Sequence, residues 1–376
     1  MSRSAHAFVR GSTVSFYEWL AEAPKEARPP EGPPVWICGD CHVGNLGPVA
    51  DARGVVEVQI RDLDQTVIGN PAHDLIRLGL SLASAARGSD LPGVTTAHMM
   101  EQLIGGYQLA LHAPDADHRV PEPASVKTVK RRALGRRWRE LASERIADET
   151  PQIPLGKTFW PLRPDERSQL DAMLRDHNVE RFALRLAGGE ATSVRLVDAA
   201  YWVKGCSSLG KLRVAAVIEL RGEGRQWALI DIKEAVDSVA PAASGAQMPD
   251  DPAERVVAGA RALSPSLGKR MLAYRLGDTP VFARELKPQD LKLELEQFTR
   301  KQAVVAARYL GFVVGKAHAA QLDEASRAAW KAALQPHSKS DLDAPSWLWR
   351  AVLELAARHE AAYLEHCRVY ALARAA

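Results

Sequence analysis

Four oxygen-bearing side chains near the N-terminus have types and spacing that could support phosphoryl transfer. Asp40 is followed five residues later by Asn45, and Asp62 and Asp64 come after an intervening run of alternating apolar residues. Transfer of a phosphoryl group from a nucleotide requires a carboxylate that orients the acceptor and hard oxygen ligands that hold Mg²⁺. Together the four residues would supply both requirements.

The elements around these residues make the signal more specific. Asp and Asn are ordinary turn residues, so an Asp followed five residues later by an Asn is weak evidence by itself. Here apolar runs at 35–38 and 55–63 predict two strands, each ending close to the acidic residues. Helical spacing at 74–87 follows, with Asp74 as an N-cap or first-turn acid. This order predicts a site held by strand ends and loops.

Two cysteines flank Asp40 and allow a different chemistry. Cys38 and Cys41 form a Cys-x-x-Cys pair, which is also found in redox dithiols and in halves of zinc sites. No second cysteine pair lies nearby in the sequence, and a redox site would leave Asp40 and Asn45 without a role. The redox or zinc alternative stays open, but the acidic pattern favours the phosphoryl interpretation.

A glycine-containing segment at 205–211 could contact phosphate. Its spacing resembles a Walker A loop, but Leu212 stands where a Ser or Thr should bind Mg²⁺, and strand-like residues follow where a helix should begin. A turn between two antiparallel strands is the alternative, since small residues let backbone N–H groups approach phosphates. The residues predicted to contact the nucleotide are Gly205, Ser207, Ser208, Gly210, Lys211 and Lys233.

Lys233 lies in an apolar strand pattern further along the same region. An unpaired ammonium buried there would be costly, so its side chain must reach something polar. Kinases place a lysine on the third strand of their small lobe, where it contacts the α- and β-phosphates. An edge-strand lysine that points to water is the alternative. A helix predicted at 252–263 offers Glu254 as a partner for Lys233.

The order of patterns predicts an α+β protein in three consecutive parts. Residues 1–186 are mainly helical with two short strands, and residues 187–288 form a β-rich region with a meander at 193–235. The four residues Arg-Gly-Glu-Gly between two strand patterns of this meander predict a hairpin. Strands are also expected at 270–276 and 280–286, and residues 289–376 are helical.

Composition limits the classes of partner. The chain has 376 residues, a formal charge of +3 and 46% hydrophobic residues, which is an ordinary globular mixture. Seven basic residues at 127–139 predict the solvated face of a helix, with a phosphate or nucleic-acid patch as the alternative. Because the net charge is small, we do not expect nucleic acid as a partner. Because neither a signal-like nor a membrane-spanning apolar run is present, we expect a cytoplasmic protein.

The N-terminal segment resembles the Brenner-type segment of aminoglycoside and choline phosphotransferases. The resemblance rests on Gly-Asp-x-His-x2-Asn, Asp-x-Asp and Gly-x-Pro-x2-Asp-Leu. It implies that Asp40 is the catalytic aspartate and that Asn45 and Asp62 bind Mg²⁺, with Asp64 as a possible second metal contact. It also implies that His42 and Asp74 are structural supports. Cys38 departs from the pattern, because those enzymes usually have His at this position.

The glycine segment and Lys233 follow the acidic residues, whereas ordinary kinases have the reverse order. The resemblance therefore implies a protein-kinase-like two-lobed fold that is circularly permuted, with a small β-rich lobe and a large helical lobe. Nearly the whole chain also resembles the bacterial domain-of-unknown-function family 2252. The shared motifs are Phe-Val-Arg-Gly at 8–11, the acidic segment, the glycine segment, Glu-Arg-Val-Val-Ala-Gly-Ala-Arg at 254–261 and Gly-Lys-Ala-His-Ala at 315–319.

These patterns lead to a functional hypothesis with two alternatives. We expect an ATP- and Mg-dependent phosphotransferase that acts on an unidentified small-molecule or protein acceptor. Asn45 would assist Asp40 as well as binding the metal. The family usually has one more glycine in the phosphate segment, so a catalytically weak or inactive nucleotide-binding regulator is one alternative. A kinase-like enzyme that transfers AMP is the other.

Overall fold

The helices and strands follow the predicted α+β order. The computed structural model describes residues 8–24, 28–51, 53–115, 120–145, 152–186, 191–203, 210–291, 299–335 and 344–375. Its α-helices are α1 (Thr13–Glu22), α2 (Pro71–Gly88), α3 (Gly93–His112), α4 (Ala124–Leu134), α5 (Trp138–Arg145), α6 (Pro164–Arg175), α7 (His177–Leu186), α8 (Pro252–Leu263), α9 (Pro265–Gly268), α10 (Arg300–Ala319), α11 (Glu324–Ala333) and α12 (Ser346–Ala375). Its strands are β1 (Val35–Ile37), β2 (Leu46–Ala50), β3 (Val56–Ile60), β4 (Val67–Gly69), β5 (Phe159–Pro161), β6 (Ala191–Trp202), β7 (Arg213–Gly222), β8 (Arg225–Glu234), β9 (Met271–Leu276) and β10 (Thr279–Leu286).

The largest sheet contains six strands in the order β5-β6-β7-β8-β10-β9, and every neighbouring pair is antiparallel. The predicted Arg-Gly-Glu-Gly hairpin is confirmed, because β7 ends at Gly222 and β8 begins at Arg225. In this register Lys233 lies opposite Arg213 on β7 and Phe282 on β10. Lys233 is therefore flanked by two neighbouring strands and does not lie at an edge.

Residues 159–186, which the sequence grouped with the first helical part, pack on this sheet. Strand β5 pairs with β6 at its edge, and α6 and α7 cover one face. Leu170, Met173 and Val179 join the apolar residues of β6, β7 and β8 in one buried cluster. Apolar residues spaced along one side of α7 explain this placement, since such a side must be covered.

Helices α2, α3 and α10 form the centre of the helical part. The backbones of α3 and α10 approach so closely that no larger residue fits at the contact. A Cβ atom at Gly311 would lie 2.1 Å from the carbonyl oxygen of Leu103, and one at Gly106 would lie 2.0 Å from that of Arg308. Glycine at these two positions therefore sets how near α10 can come to α3.

Two short hairpins connect the helical core to the predicted acidic residues. Strand β1 pairs with β4, and β2 pairs with β3. Strand β2 has no counterpart in the sequence analysis, because Gly47 and Pro48 interrupt its apolar pattern. Asn70 provides the N-cap of α2 by accepting from the N–H of Ala72, and Asp74 is an acid of the first turn.

The basic run at 127–139 does not form a single helix. Helix α4 ends at Leu134, Gly135 follows, and α5 begins at Trp138. The first half has exposed basic side chains, as a solvated face predicts, whereas the Nε of Arg136 donates to the carbonyl oxygen of Pro288. No helix within the described ranges has the length and apolarity that crossing a bilayer requires.

Burial of His73 predicts a loss of stability in mild acid. Burial lowers the pKa of His73 to about 4, and its Nδ1 has no hydrogen-bond partner among the described residues. The unfolded chain takes up a proton below about pH 6.5 and the folded chain only near pH 4. Stability is therefore lost as the pH falls between these values, by up to about 3 kcal/mol. Denaturant titrations at pH 7 and pH 4.5 should show a smaller loss for His73→Gln than for the wild type.

An exposed histidine provides the control for this measurement. His177 opens α7 at the surface, so His177→Gln should keep the pH dependence of the wild type. Equal acid sensitivity of the wild type and His73→Gln would show that the buried imidazole is not its source.

Candidate functional site

A loop that follows β1 carries Asp40. Gly39 has φ +74°, and a Cβ atom there would lie 2.1 Å from the carbonyl oxygen of Gln65, so only glycine fits. The hydroxyl of Tyr17 donates to the carbonyl oxygen of Gly39 at 2.7 Å. The close approach of the Asp40 loop to the loop of Gln65 brings the first acidic residue near the later pair.

The carboxylate of Asp74 supports this loop through hydrogen bonds to its backbone. Its carboxylate accepts hydrogen bonds from the backbone N–H groups of Cys38 at 2.7 Å and Gly39 at 3.0 Å. The Nε2 of His318 lies 3.2 Å from the same carboxylate, and both side chains are fully buried. Asp74 therefore contacts both the backbone of the Asp40 loop and His318.

The hydrogen-bond chain continues into the helical core. The hydroxyl of Tyr107 lies 2.9 Å from Nδ1 of His318, and the indole N–H of Trp330 donates to that hydroxyl at 3.1 Å. A consistent assignment has Tyr107 donating to Nδ1 and the Nε2–H of His318 donating to Asp74. Residues from α2, α3, α10 and α11 thus fix the loop that carries Asp40.

Arg77 forms an ion pair with Asp40. Its guanidinium is fully buried and donates to Oδ1 of Asp40, whose side chain is 16% exposed. The same guanidinium donates to Oγ of Ser12 and to the carbonyl oxygen of Val9, both at 3.2 Å. The other carboxylate oxygen of Asp40 lies 3.8 Å from Nε2 of His42. Arg77 therefore fixes the orientation of Asp40 and joins it to the N-terminal segment.

Asn45 lies at the end of the same loop. Its amide nitrogen donates to the carbonyl oxygen of Asp40 at 2.9 Å, and the side chain lines the cleft described below. Holding the nitrogen in this way leaves the amide oxygen as the group available to a ligand. Amide oxygens are among the hard ligands that Mg²⁺ accepts.

Asp62 and Asp64 both meet Lys233, although Asp64 and Lys233 lie 169 positions apart in the chain. The ammonium group of Lys233 lies 2.8 Å from Asp64 and 3.6 Å from Asp62. The two carboxylates open onto the cleft, with exposed fractions of 48% and 36%, whereas the Lys233 side chain is 12% exposed. The predicted polar contact of Lys233 is thus with these acids, and Glu254 at the start of α8 is exposed.

The charges of these three residues depend on one another. Partial desolvation in the cleft would raise the pKa of Asp62, but the charges of Lys233 and Arg284 outweigh it and hold that pKa well below its ordinary value. Partial desolvation and the adjacent charge of Asp62 raise the pKa of Asp64 to about 6. Burial would lower the pKa of Lys233, but Asp62 and Asp64 outweigh it and raise that pKa. Of the two acids, Asp62 keeps its charge more readily.

A second group of charged residues lies beside Lys233 on the same face of the sheet and consists of Asp231, Arg213 and Arg284. Asp231 is fully buried and accepts from Arg213 at 2.9 and 2.6 Å, and Arg284 lies 3.9 Å from it. Arg284 also donates to the carbonyl oxygen of Arg61 at 2.8 Å. These contacts connect the sheet to the residue that immediately precedes Asp62.

One cleft of about 330 Å³ brings both halves of the predicted site together. The predicted residues that line it are Asp40, Asn45, Asp62, Asp64, Lys211 and Lys233. Gly210 adjoins Lys211 with φ +82°, a backbone conformation that favours glycine. Gly205, Ser207 and Ser208 lie outside the described residues. Gly11 from the motif at 8–11 also lines the cleft. The remaining wall includes residues that the sequence analysis did not single out: Thr13, Val14, Val236, Asp237 and Val239.

The cysteine pair beside Asp40 is buried. Cys38 and Cys41 are free and fully inaccessible, and the Sγ of Cys38 lies 3.3 Å from the carbonyl oxygen of Asp62. A hydrogen bond with Cys41 and burial raise the pKa of Cys38 well above its ordinary value. This environment favours the thiol over the thiolate that redox or zinc chemistry requires.

Comparison with known protein families assigns the chain to one of them. The family described as "Uncharacterized protein conserved in bacteria (DUF2252)" matches residues 1–369. The chain belongs to the DUF2252 family. Neither a curated protein nor a solved structure matches it.

The motifs that suggested DUF2252 converge on the cleft. The motif at 8–11 supplies the Val9 carbonyl that Arg77 contacts and Gly11 in the cleft wall. The motif at 315–319 supplies His318, which supports the Asp40 loop through Asp74. The motif at 254–261 contains Arg255, whose guanidinium contacts the loop of Asp64. Three segments that lie far apart along this DUF2252 chain therefore contribute to one site.

Proposed function

We propose that this DUF2252 protein is a circularly permuted, kinase-like phosphotransferase that uses Mg·ATP. The observation that carries the proposal is the single cleft in which Lys233 contacts Asp64 and Asp62 near Asp40 and Asn45. The order of the secondary-structure elements around Lys233 also supports the proposal. A turn with Gly210 lies between β6 and β7, Lys233 lies on the next strand, and α8 follows. Kinases position their nucleotide-binding lysine in a similar sequence of elements.

The donor groups around the cleft fit a magnesium ion. Asp62 and Asp64 are exposed to the cleft, and the amide of Asn45 is oriented by its bond to Asp40. Within the described part of the chain, no group of three or more His, Cys, Asp or Glu residues could hold a metal by itself. Mg²⁺ is usually held by one or two carboxylates together with phosphate oxygens, so two acids and an amide are a suitable set.

The same cleft fits a triphosphate. Lys211 and Lys233 both line it and would contact phosphate oxygens, while Gly210 allows the chain to turn beside Lys211. Bound Mg·ATP would supply the phosphoryl group and a metal ion that neutralises its charge. The contacts that Lys233 now makes with the acids would then be shared with phosphate.

Asp40 would act on the acceptor. Its Oδ1 is held by Arg77, so the other carboxylate oxygen can accept a hydrogen bond from an acceptor hydroxyl or amine in the cleft. Fixing the carboxylate by a buried cation keeps it correctly oriented, which is the main requirement of this type of catalysis. Gly11 and Thr13 are in the cleft wall and would contact the acceptor.

Calorimetric titration with ATP, with and without Mg²⁺, tests the proposal. The wild type is expected to bind ATP in a Mg²⁺-dependent manner. Asp62→Ala and Lys233→Ala should each weaken binding about 100-fold or more, since each removes a charge-assisted contact worth about 3 kcal/mol. Loss in both variants would link two segments that are 169 residues apart.

Matched variants and product analysis sharpen the result. Glu254→Ala removes an exposed acid near the start of α8 and should bind like the wild type. Production of ADP would support phosphoryl transfer, whereas pyrophosphate would indicate AMP transfer. Binding without turnover would indicate a regulator, and a folded wild type that binds no nucleotide would refute the proposal.

A further inference from the structure

Arg255 is a buried cation whose partners are backbone carbonyl groups. It lies in the first turns of α8, and the residue is 6% exposed. Its guanidinium donates to the carbonyl oxygen of Thr66, to that of Asp64 at 3.3 Å and to that of Val236 at 2.8 Å. No ion pair of Arg255 with a carboxylate is found among the described residues.

The three carbonyl groups belong to the two halves of the candidate site. Asp64 and Thr66 are in the loop at 61–66 between β3 and β4, here called the acidic loop, and Val236 follows Lys233 by three residues. The guanidinium of Arg255 therefore connects the loop that carries Asp64, a predicted metal ligand, to the segment that follows Lys233. Because the donors of a guanidinium form a rigid, planar fork, this arrangement fixes distances better than a single hydrogen bond would.

Helix α8 makes a second close contact with the acidic loop. Gly259 lies one turn beyond Arg255, and a Cβ atom there would be 2.4 Å from Cγ2 of Thr66. The hydroxyl of Thr66 donates to the carbonyl oxygen of Ile37 at 2.6 Å, at the end of β1. Helix α8 thus touches the acidic loop at two points, and the loop in turn contacts the strand that precedes Asp40.

Stability alone is a poor explanation for this arrangement. Burying a cation against neutral carbonyl groups is costly compared with placing an apolar side chain there. Asp237 and Asp64 are the acids whose charges act on Arg255, and neither forms an ion pair with it. A guanidinium that holds the two segments at a fixed distance would account for this cost in stability.

We propose that Arg255 is a positioning residue that sets the distance between the Mg²⁺-binding carboxylates and Lys233. The inference rests on the proposed function, because it concerns the metal and phosphate contacts of the same cleft. In this proposal, α8 holds the two halves of the site together through the hydrogen bonds of Arg255 to the carbonyl groups of both segments. Arg255 does not itself touch the nucleotide or the acceptor.

The test is the Mg²⁺ concentration that gives half-maximal ATP binding, measured by calorimetry at fixed ATP for the wild type, Arg255→Met and Arg255→Lys. Removing a group that orients metal ligands typically weakens metal binding about 10- to 100-fold. We expect a rise of at least about tenfold for Arg255→Met. Arg255→Lys should give a smaller rise, because lysine keeps the charge but cannot reach all three carbonyl groups.

Two further variants separate positioning from folding. Gly259→Ala keeps Arg255 but displaces Thr66, so it should also raise the Mg²⁺ requirement. Leu263→Ala removes a buried side chain at the other end of α8 and should lower the melting temperature without changing that requirement. If Arg255→Met does not fold, Arg255→Lys and Gly259→Ala decide the outcome.

The outcomes distinguish the inference from the proposed function. A wild type that binds Mg·ATP, with an unchanged Mg²⁺ requirement in the Arg255 and Gly259 variants, would overturn the role of Arg255 and leave the proposed function standing. A folded wild type that binds no Mg·ATP would overturn both. A raised requirement in these variants but not in Leu263→Ala would establish positioning.

Discussion

Replacing Asp40 with asparagine is expected to reduce ADP formation by about 10²- to 10⁴-fold, with water as the acceptor until another is identified. The amide keeps the shape of the side chain but loses the charge that would orient or deprotonate the acceptor. Mg·ATP affinity should stay within about threefold of the wild type, because Asp40 acts mainly in the transition state. Steady-state ADP release and calorimetric titration on the same samples measure the two quantities.

Asp237→Asn is the matched control for this experiment. Asp237 also lines the cleft with a carboxylate, but it is exposed and lies outside the Asp40 loop. It should not reduce ADP release to water by more than about tenfold. If the Asp40 and Asp237 variants lost turnover equally, or if Asp40→Asn retained full turnover, Asp40 would not be the catalytic residue.

Replacing Arg77 with methionine is expected to lower the free energy of unfolding by about 3–5 kcal/mol. Arg77 is fully buried, so methionine fills part of the space but leaves the Asp40 carboxylate without its counter-charge. It also removes the contacts with Ser12 and Val9 that hold the N-terminal segment. Urea unfolding followed by circular dichroism measures the change.

A double-variant cycle shows whether the ion pair is the cause. In Asp40→Asn/Arg77→Met no unpaired charge remains, so the double variant should be more stable than the sum of the two single losses predicts, by about 1 kcal/mol or more. Turnover should stay as low as in Asp40→Asn. Strict additivity of the unfolding free energies would mean that Arg77 acts through packing rather than through Asp40.

Local patterns were sufficient to predict most of the elements. The β-meander, its hairpin at 221–224 and the helix at 252–263 are confirmed, because alternation, turn residues and Pro252 each act over a few neighbours. Strand β2 was missed because Gly47 and Pro48 are residues that disfavour the interior of a strand. The helix predicted across 127–139 was wrong at Gly135, where the chain turns between α4 and α5.

The candidate site could be predicted only in part. Asp40, Asn45, Asp62 and Lys233 belong to patterns that are visible in the sequence, and all four line the cleft. Arg77 and Arg255 were not predicted, because their partners are set by tertiary contacts and a buried arginine resembles a surface one in sequence. Two signals could have revealed them: Arg77 interrupts the apolar run between Leu75 and Leu80 in α2, and Arg255 lies in a motif shared with the family.

The hydrogen bond between Asp74 and His318 joins residues that are 244 positions apart. During synthesis on the ribosome, at about 5–20 residues per second, the loop of Asp40 emerges on the order of tens of seconds before its support from α10. Until then the acidic residues are present without His318, and during the first part of this interval also without Lys233. Products truncated before residue 318 should therefore carry the Asp40 loop without the support that His318 gives it through Asp74.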